Sequence, residues 1–207
     1  MLSQQGKINI IAGPMYTGKT NYIVNKLIKL KNNKNNSIFI VNHAFDQNRN
    51  YYITKLNKIK NGIELNENNY KSYQNKLLLD FGMKYYRDLN ILLNSKDYLS
   101  SNIIVILNAH YFDDLYNFVS SQVDITNKLF IVSGLSSGYK RQKVGQILDL
   151  IPYSESTKIL KGVCYYCNDE GCFTKKIELN PVNNIEDIDF SYATQEYLLV
   201  CRKHYLN

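Results

Sequence analysis

The sequence predicts an α/β fold, in which a three-layer domain with a parallel sheet precedes a small C-terminal zinc-binding subdomain. Three observations support this fold class. Apolar segments rich in Ile and Val alternate along the chain with segments of helical periodicity. A glycine-rich motif of the G-x-x-x-x-G-K-[ST] type stands between the first apolar segment and the first helical one. Two pairs of potential metal ligands lie near the C-terminus.

Five segments are predicted strands, because they are nearly continuous in apolar residues, as strands buried on both faces of a parallel sheet are. They are Lys7–Ala12, Ser37–Val41, Ile103–Leu107, Leu129–Gly134 and Thr157–Val163. Alternation with helices implies right-handed crossovers. Such a sheet binds its ligands at the carboxyl ends of the strands.

Three helices are predicted between these strands from apolar residues at three- and four-residue spacing. The first runs from Lys19 to Leu30, the second carries Leu78, Phe81, Tyr85, Leu89 and Leu92, and the third carries Leu115, Phe118 and Val119. The segment Lys31–Asn36 is a polar connection. Asn42–Asn69 is polar and weakly periodic, and we interpret it as a candidate mobile flap.

The glycine-rich motif predicts a phosphate-binding loop and a P-loop NTPase-like domain. It consists of Gly13, Pro14, Met15, Tyr16, Thr17, Gly18, Lys19 and Thr20. Main-chain N–H groups in such a loop point at a polyphosphate, and the helix N-terminus adds a partial positive charge. Lys19 is expected to reach the β- and γ-phosphates, and the Thr20 hydroxyl to bind Mg²⁺. ATP and Mg²⁺ are therefore the expected ligands.

Length and composition indicate one nucleotide-binding domain with an appendage. The 207 residues, 44% of them hydrophobic, can form a substantial core. We divide the chain into a nucleotide-binding domain over 1–155 and a zinc-binding subdomain over 156–207.

No apolar stretch approaches membrane-spanning length, and the N-terminal residues lack the features of a signal peptide. We therefore expect no membrane association and a cytoplasmic location.

The net charge of +7 invites a nucleic-acid interpretation. However, the lysines are scattered and mixed with Asn, and the sequence has no arginine-rich stripe with interleaved aromatic residues. A solvated basic surface that tolerates polyanionic substrates fits this pattern better. Nucleic acid is thus an unlikely partner.

The C-terminal pairs Cys164/Cys167 and Cys201/His204 form two C-x-x-[CH] knuckles. Two such knuckles supply the four ligands that tetrahedral Zn²⁺ requires. Because all four positions are filled by protein groups, we expect a structural rather than a catalytic zinc. The alternative is that these are unrelated small core residues. Cys172 fits neither knuckle and is interpreted as a packed thiol.

Over nearly its whole length the chain resembles the thymidine kinase family of the zinc-containing, P-loop type found in animals, bacteria and large DNA viruses. Gly13–Thr20 is similar to that family's phosphate loop, including the Gly-Pro-Met opening. Leu135–Arg141 resembles the stretch after the last core strand. Cys164–Cys167, Phe173–Lys176 and Tyr197–His204 resemble the zinc-tethered "lasso" that closes over thymidine.

The resemblance implies transfer of the ATP γ-phosphate to the 5′-hydroxyl of thymidine or a related deoxynucleoside. By similarity, Arg141 sits close to the phosphates. The nucleoside pocket is implied to comprise Met15, Tyr111, Leu135, Tyr139, Thr174 and Tyr197. The resemblance also implies a homo-oligomer, either a tetramer or a dimer.

The chain departs from this family at the end of the strand Ile103–Leu107. The family has an Asp-Glu pair there, and this chain has Leu107 and Asn108. The Asp organises Mg²⁺ and its waters, and the Glu takes the proton from the 5′-hydroxyl. A leucine cannot bind a cation, and an asparagine amide has no useful basicity. Loss of a general base typically costs ~10²–10⁴ in rate.

Two residues are candidates for compensation. His110 titrates near neutrality, and alternation along an extended chain would put it on the same side as Asn108. The alternative is that His110 keeps the hydrogen-bonding role of the family's Gln. Asp46, with Arg49, resembles the family's acidic–basic pair after the second strand and is the best remaining carboxylate near the phosphates. Asp113 and Asp114 are expected to face solvent.

Three functional hypotheses follow. The first is an active, slow thymidine or deoxynucleoside kinase in which Asp46 or His110 compensates. The second is a catalytically inactive homologue that binds a nucleotide or a partner in a structural or regulatory role. The third is a zinc-bearing, nucleic-acid-binding ATPase, which rests on the positive charge alone.

Overall fold

A parallel sheet forms the centre of the computed structural model, which describes residues 5–46, 78–178 and 195–207. Its six strands stand in the order β3-β2-β4-β5-β1-β6, and every neighbouring pair is parallel. Their bounds are β1 Lys7–Gly13, β2 Ile38–His43, β3 Lys84–Tyr86, β4 Ile103–Leu107, β5 Leu129–Leu135 and β6 Ser156–Ile159.

Helices cover both faces of this sheet, so the three-layer α/β fold is confirmed. The α-helices are α1 Lys19–Lys31, α2 Lys96–Ser100, α3 Leu115–Ile125 and α4 Arg202–Leu206. Short 3₁₀ helices occupy Asn90–Asn94, Ala109–Tyr111 and Ile147–Tyr153. Helix α1 buries Ile23, Val24 and Leu27 against one face. Helix α3 buries Leu115, Phe118, Val119 and Val123 against the other.

Burial on both faces explains why the strands read as continuous apolar runs. All five residues of β4 are buried, and they alternate between the two core clusters. Ile104 and Ile106 belong to the cluster on the α3 face, while Val105 and Leu107 belong to the cluster on the α1 face. A polar side chain at Ile104, Val105 or Ile106 would therefore enter one of the two core clusters.

The helix predicted from Leu78, Phe81, Tyr85, Leu89 and Leu92 is wrong as a continuous element. Residues 78–80 are helical, but Gly82 adopts a left-handed φ of 81° and β3 follows at once. Strand β3 pairs with the end of β2, where Val41 lies opposite Lys84. Leu78 and Leu89 pack on opposite faces of the sheet, which one short helix could not achieve. The three- and four-residue spacing of these apolar residues reflects their contacts with the two core layers, not the periodicity of one helix.

The fifth predicted strand, Thr157–Val163, is divided in the structure. Its first part is β6, an edge strand that pairs with β1. Its second part is β7 Gly162–Val163, which pairs antiparallel with β8 Glu170–Gly171. A second hairpin joins β9 Phe173–Glu178 to β10 Gln195–Val200. The main sheet thus extends to Ile159.

Of the candidate flap Asn42–Asn69, residues 42–46 belong to the described part, and the remainder, with Arg49, lies outside it. Among the described residues, no helix is long and apolar enough to cross a membrane.

The expectation that Asp114 faces solvent is wrong. Asp114 is half-buried, and its Oδ2 accepts hydrogen bonds from the main-chain N–H groups of Leu89 and Asn90 at 2.7 and 3.0 Å. The side chain of Asn90 donates a third, at 2.9 Å. This carboxylate therefore ties the start of α3 to the segment that precedes the 3₁₀ helix Asn90–Asn94. Its neighbour Asp113 is exposed, as expected.

We predict that Asp114→Ala lowers the free energy of unfolding by about 2 kcal/mol, because hydrogen bonds to a charged acceptor are lost. Asp113→Ala is the matched control and should change stability by less than about 0.5 kcal/mol. Urea denaturation followed by circular dichroism measures both. Equal effects of the two substitutions would contradict the assigned role of Asp114.

Candidate functional site

The phosphate loop joins the carboxyl end of β1 to the start of α1, as the motif predicted. Both glycines of the motif are required by geometry. A Cβ on Gly13 would lie 2.6 Å from the Leu160 carbonyl oxygen and 2.8 Å from Thr17 Oγ1. Gly18 has a left-handed φ of 76°, which disfavours any larger residue. Tyr16 at the loop tip also has a positive φ, 62°, and its side chain is 67% exposed.

The Lys19 ammonium group lies inside this loop. Its Nζ donates hydrogen bonds to the main-chain oxygens of Gly13, at 3.1 Å, and Pro14. Desolvation by burial lowers the pKa of Lys19 to about 8. A cavity of about 330 Å³ opens in front of it, lined by Tyr16, Thr17, Gly18, Lys19, Thr20 and Asn21. The loop thus has a cation, helix N-terminal amides and open space, which together suit an anionic ligand.

A second cavity, of about 150 Å³, lies beside the phosphate loop. The residues that line it are Met15, Tyr111, Leu135, Ser137, Gly138, Tyr139, Thr174 and Tyr197. The structure thus brings together all six residues that the sequence analysis assigned to one pocket, although they come from five separate segments. Ser137 and Gly138 were missed, and their position between Leu135 and Tyr139 could have indicated them.

Aromatic rings form much of the wall of this cavity. The rings of Tyr139 and Tyr197 are in contact, with centroids 6.0 Å apart and planes tilted by 47°. Tyr111 packs against His110 at 4.1 Å and against Phe45 at 5.0 Å. A flat, largely apolar ligand with polar edges, such as a nucleobase, suits these walls.

Leu107 and Asn108, the two positions that lack a carboxylate, lie at the carboxyl end of β4. The phosphate loop lies at the carboxyl end of β1, on the same side of the sheet. Leu107 is 6% exposed and packs in the apolar cluster on the α1 face. Asn108 follows in the left-handed conformation, with φ 47° and ψ 39°. Asn tolerates this conformation better than most residues. Neither side chain offers a negative charge to a cation.

Asn108 belongs to a hydrogen-bonded network with Asn42 and Asp46. Its Nδ2 donates to Asn42 Oδ1 at 3.1 Å. Asn42 Nδ2 in turn donates to Asp46 Oδ2 at 3.0 Å. Asn42 is 3% exposed, and its Oδ1 also accepts from the His43 N–H, so the orientation of this amide is fixed from both ends. The network connects the Asp46 carboxylate to the position where the base was expected.

The strand order limits what Asp46 can do directly. Asp46 follows β2, which is separated from β1 by β4 and β5. At about 4.8 Å per strand, β2 lies about 14 Å from the strand that carries the phosphate loop. Asp46 therefore reaches the phosphates less easily than a residue on β4, and its catalytic role stays a prediction.

His110 is enclosed by main chain. Its Nδ1 accepts a hydrogen bond from the Leu135 N–H at 3.3 Å. A Cβ on Gly145 would lie 2.4 Å from the His110 carbonyl oxygen. The premise of an extended chain at this point is wrong, because Asn108 is left-handed and Ala109–Tyr111 forms a 3₁₀ turn. These contacts favour a positioning role for His110 over its proposed role as a base.

The guanidinium group of Arg141 lies 4.6 Å from the centroid of the Tyr205 ring. The Tyr205 hydroxyl donates to the Tyr139 carbonyl oxygen at 2.8 Å, so helix α4 holds this part of the cavity wall. Arg141 adopts a positive φ of 60°. Its expected place close to the phosphates stays a prediction.

The two cysteine knuckles meet in one cluster. The ligand atoms of Cys164, Cys167, Cys201 and His204 all lie within 4.8 Å of one another. Cys167 Sγ is 3.7 Å from Cys201 Sγ, and His204 Nδ1 is 3.3 Å from Cys201 Sγ and 3.5 Å from Cys164 Sγ. Around a tetrahedral Zn²⁺, neighbouring S and N ligands are about 3.5 to 3.8 Å apart. The donor set and its spacing therefore fit zinc.

Cys172 lies outside this cluster. Its Sγ is 3.6 Å from Glu170 Oε1, and burial raises the pKa of its thiol.

The known proteins with similar sequences are thymidine kinases. The family model for thymidine kinase matches residues 6–205. A thymidine kinase of Oryza sativa subsp. japonica is 25% identical over 206 residues, which cover 99% of this chain and 68% of that protein. The thymidine kinase of Choristoneura biennis entomopoxvirus is 30% identical over 203 residues, which cover 94% of each. Among solved structures, the flagellar accessory protein FlaH from Methanocaldococcus jannaschii aligns with a TM-score of 0.45 and 16% identity over 81% of this chain and 76% of that one.

The family match spans nearly the whole chain, from the first strand of the sheet to the helix that carries the last cluster residue. On this evidence, the chain belongs to the thymidine kinase family.

Proposed function

We propose that this chain binds ATP at the phosphate loop and thymidine or a related deoxynucleoside in the adjacent cavity, and that it transfers the γ-phosphoryl group slowly. The observation that carries the proposal is the shared position of Met15. Met15 is the third residue of the phosphate loop and also lines the aromatic cavity. A 5′-hydroxyl held in that cavity would therefore lie next to the phosphates.

In the proposed reaction, the 5′-hydroxyl oxygen attacks the γ-phosphorus, the bond to the β–γ bridging oxygen breaks, and ADP leaves. The hydroxyl proton passes to solvent water. Lys19 and the loop amides would hold the phosphates and oppose the charge that builds on them. Mg²⁺, when bound with ATP through the Thr20 hydroxyl, supplies further positive charge. The two proposed units divide this work: residues 1–155 bind the nucleotide, and residues 156–207 form the zinc-tethered lasso over the nucleoside.

Removal of the proton from the 5′-hydroxyl is expected to limit the rate of this reaction. Asn108 stands where the family has its base, and an amide cannot accept that proton. Leu107 is packed among apolar side chains and cannot orient a hydrated cation. His110 Nδ1 is engaged by the main chain. We therefore expect turnover lower by ~10²–10⁴ than with the carboxylates in place.

A second candidate function is a catalytically inactive homologue that binds nucleotide and nucleoside in a structural or regulatory role. The apolar burial of Leu107 favours it. If a neighbouring residue had taken over the role of the missing carboxylate, the surroundings of position 107 would be expected to stay polar. A cytoplasmic location and a homo-oligomer, tetramer or dimer, remain predictions for either function.

The double variant Leu107→Asp/Asn108→Glu should raise the rate of thymidine phosphorylation by about 10² or more, since it supplies both a metal-organising carboxylate and a base. The assay is transfer of phosphate from ATP–Mg²⁺ to labelled thymidine. The neutral double variant Leu107→Asn/Asn108→Gln is the matched control and should show no gain. A folded, thymidine-binding charged variant with no gain would refute this account of slow turnover. Failure of the unmodified protein to bind either ligand in calorimetry would refute the proposed function as a whole.

ATP affinity should fall as the pH rises above about 8, because burial lowers the pKa of Lys19 to about 8 in the free protein. Below this pH the ammonium form is already present, and binding needs no proton. Above it, ATP binding must take up a proton, so the dissociation constant rises by up to about tenfold per pH unit. Calorimetry at pH 7 and 9 in buffers of different ionisation enthalpy measures the uptake. Lys19→Gln should show none, and the same uptake in that variant would contradict the assignment.

One zinc ion per chain is expected by elemental analysis of the purified protein. Cys201→Ser should abolish it, because three ligands cannot close a structural site. Cys172→Ser is the matched control and should retain full zinc content, since this thiol lies outside the cluster. Loss of zinc from both variants, or from neither, would show that the cluster is not the site.

A further inference from the structure

The phosphate loop is held by a side chain from the C-terminal part of the protein. The main-chain N–H of Met15 donates a hydrogen bond to Thr174 Oγ1 at 3.1 Å, across 159 residues of sequence. Thr174 is 2% exposed, so water cannot readily replace this bond. An amide at the opening of the loop therefore takes its orientation from strand β9.

A second contact joins the same two parts of the molecule. Gly162 in β7 lies against the loop tip: a Cβ there would be 3.4 Å from the Tyr16 carbonyl oxygen and 3.6 Å from Thr17 Cα. The same Cβ would lie 2.5 Å from Leu199 Cδ2. In the β9–β10 hairpin, Leu199 is directly opposite Thr174. The loop thus meets the hairpin through a hydroxyl on one strand and, by way of Gly162, a leucine on the other.

The cysteine–histidine cluster holds this hairpin. Strand β10 ends at Val200 and runs directly into Cys201. The Tyr165 N–H, inside the first knuckle, donates to the Leu199 carbonyl oxygen at 2.9 Å. On the β9 side, the ring of Phe173 packs on Tyr205 of α4 with centroids 5.5 Å apart. Both strands of the hairpin are therefore anchored within a few residues of the four ligands.

Apolar packing around the cluster is too small to replace the metal. The buried residues of this C-terminal cluster are Cys164, Val200 and Cys201, and two of these three are themselves ligands. Without a cation, little else holds the four ligands together, and a small domain of this kind depends on its metal for order. Loss of zinc should therefore loosen β10, then β9, and with it the hydroxyl of Thr174.

We propose that Thr174 is a positioning residue that couples zinc occupancy to phosphate binding. With zinc bound, its hydroxyl fixes the Met15 amide and holds the loop ready for a polyphosphate. Without zinc, the loop loses this hold, and ATP binds less tightly. This inference rests on the proposed function for its ligand, ATP. The coupling itself is a property of the loop and of the hairpin, and it can be measured without any nucleotide.

The experiment compares the unmodified protein with Thr174→Val, which removes the acceptor and keeps the shape, and Thr174→Ser, which keeps the acceptor. Each is studied with zinc and after treatment with a chelator. Two quantities are measured: hydrogen–deuterium exchange of a peptide covering residues 13–20, and the dissociation constant of ATP–Mg²⁺ by calorimetry. Far-UV circular dichroism reports whether each sample is folded.

With zinc, Thr174→Val should exchange faster over residues 13–20 and bind ATP about fivefold more weakly, as loss of one net hydrogen bond predicts. Thr174→Ser should match the unmodified protein in both. Removal of zinc from the unmodified protein should reproduce the Thr174→Val result. Because the two changes act through the same bond, zinc removal should add little to the variant.

Two outcomes would overturn the coupling. One is exchange and affinity in zinc-loaded Thr174→Val equal to those of the unmodified protein. The other is an undiminished effect of zinc removal in that variant, since the two changes would then act independently. If zinc removal unfolds the chain, the two zinc-loaded variants are compared with each other. Equal exchange over residues 13–20 and equal ATP affinity in Thr174→Val and Thr174→Ser would then overturn the coupling. If ATP binds to no form, the proposed function fails, while the exchange rates still decide whether Thr174 holds the loop.

Discussion

Strand β1 is paired along both edges, with β5 on one side and β6 on the other, and the phosphate loop begins where these pairings end. Beyond the paired residues, the Ser136 N–H still donates to the Gly13 carbonyl oxygen at 3.3 Å, and the Leu160 N–H donates to Ala12 at 2.7 Å. Main chain therefore closes around Gly13 from both sides. These main-chain hydrogen bonds fix the first residue of the loop in position. The loop amides and Lys19 therefore start from a defined arrangement when a ligand binds.

The end of β4 is ordered although it carries no carboxylate at Leu107 or Asn108. Two carboxylates at this edge would repel each other when no cation is bound, and each would lose hydration. Leu107 replaces one of them with core packing, and the uncharged Asn108 amide donates a hydrogen bond to Asn42. Both changes remove a cost that active sites commonly carry for the sake of catalysis. The same changes remove the groups that a phosphoryl transfer needs.

The C-terminal subdomain presents the opposite situation, since its order depends on few contacts. Its hairpin and knuckles enclose little apolar volume. The cations around them lie on aromatic rings or, like Lys161 with Glu170, in an exposed ion pair. Arg202 lies 4.9 Å from the centroid of the Phe173 ring, and Lys176 lies 5.4 Å from that of Tyr139. A metal at the four ligands would stabilise this region more than its packing does. The aromatic cavity beside the phosphate loop has one wall in this subdomain and one at the carboxyl ends of the sheet strands, so its shape depends on both.

The sequence by itself determined the parallel α/β architecture, the phosphate loop and the four members of the cysteine–histidine cluster. These features depend on local patterns: apolar runs, glycine spacing and paired ligands. Tertiary structure decided the rest, because the relevant contacts join distant residues. The periodicity from Leu78 to Leu92 could not reveal that Leu78 and Leu89 face opposite layers. Likewise, no local pattern links Asn108 to Asn42 or Met15 to Thr174, since those bonds exist only once the tertiary fold has brought distant segments together.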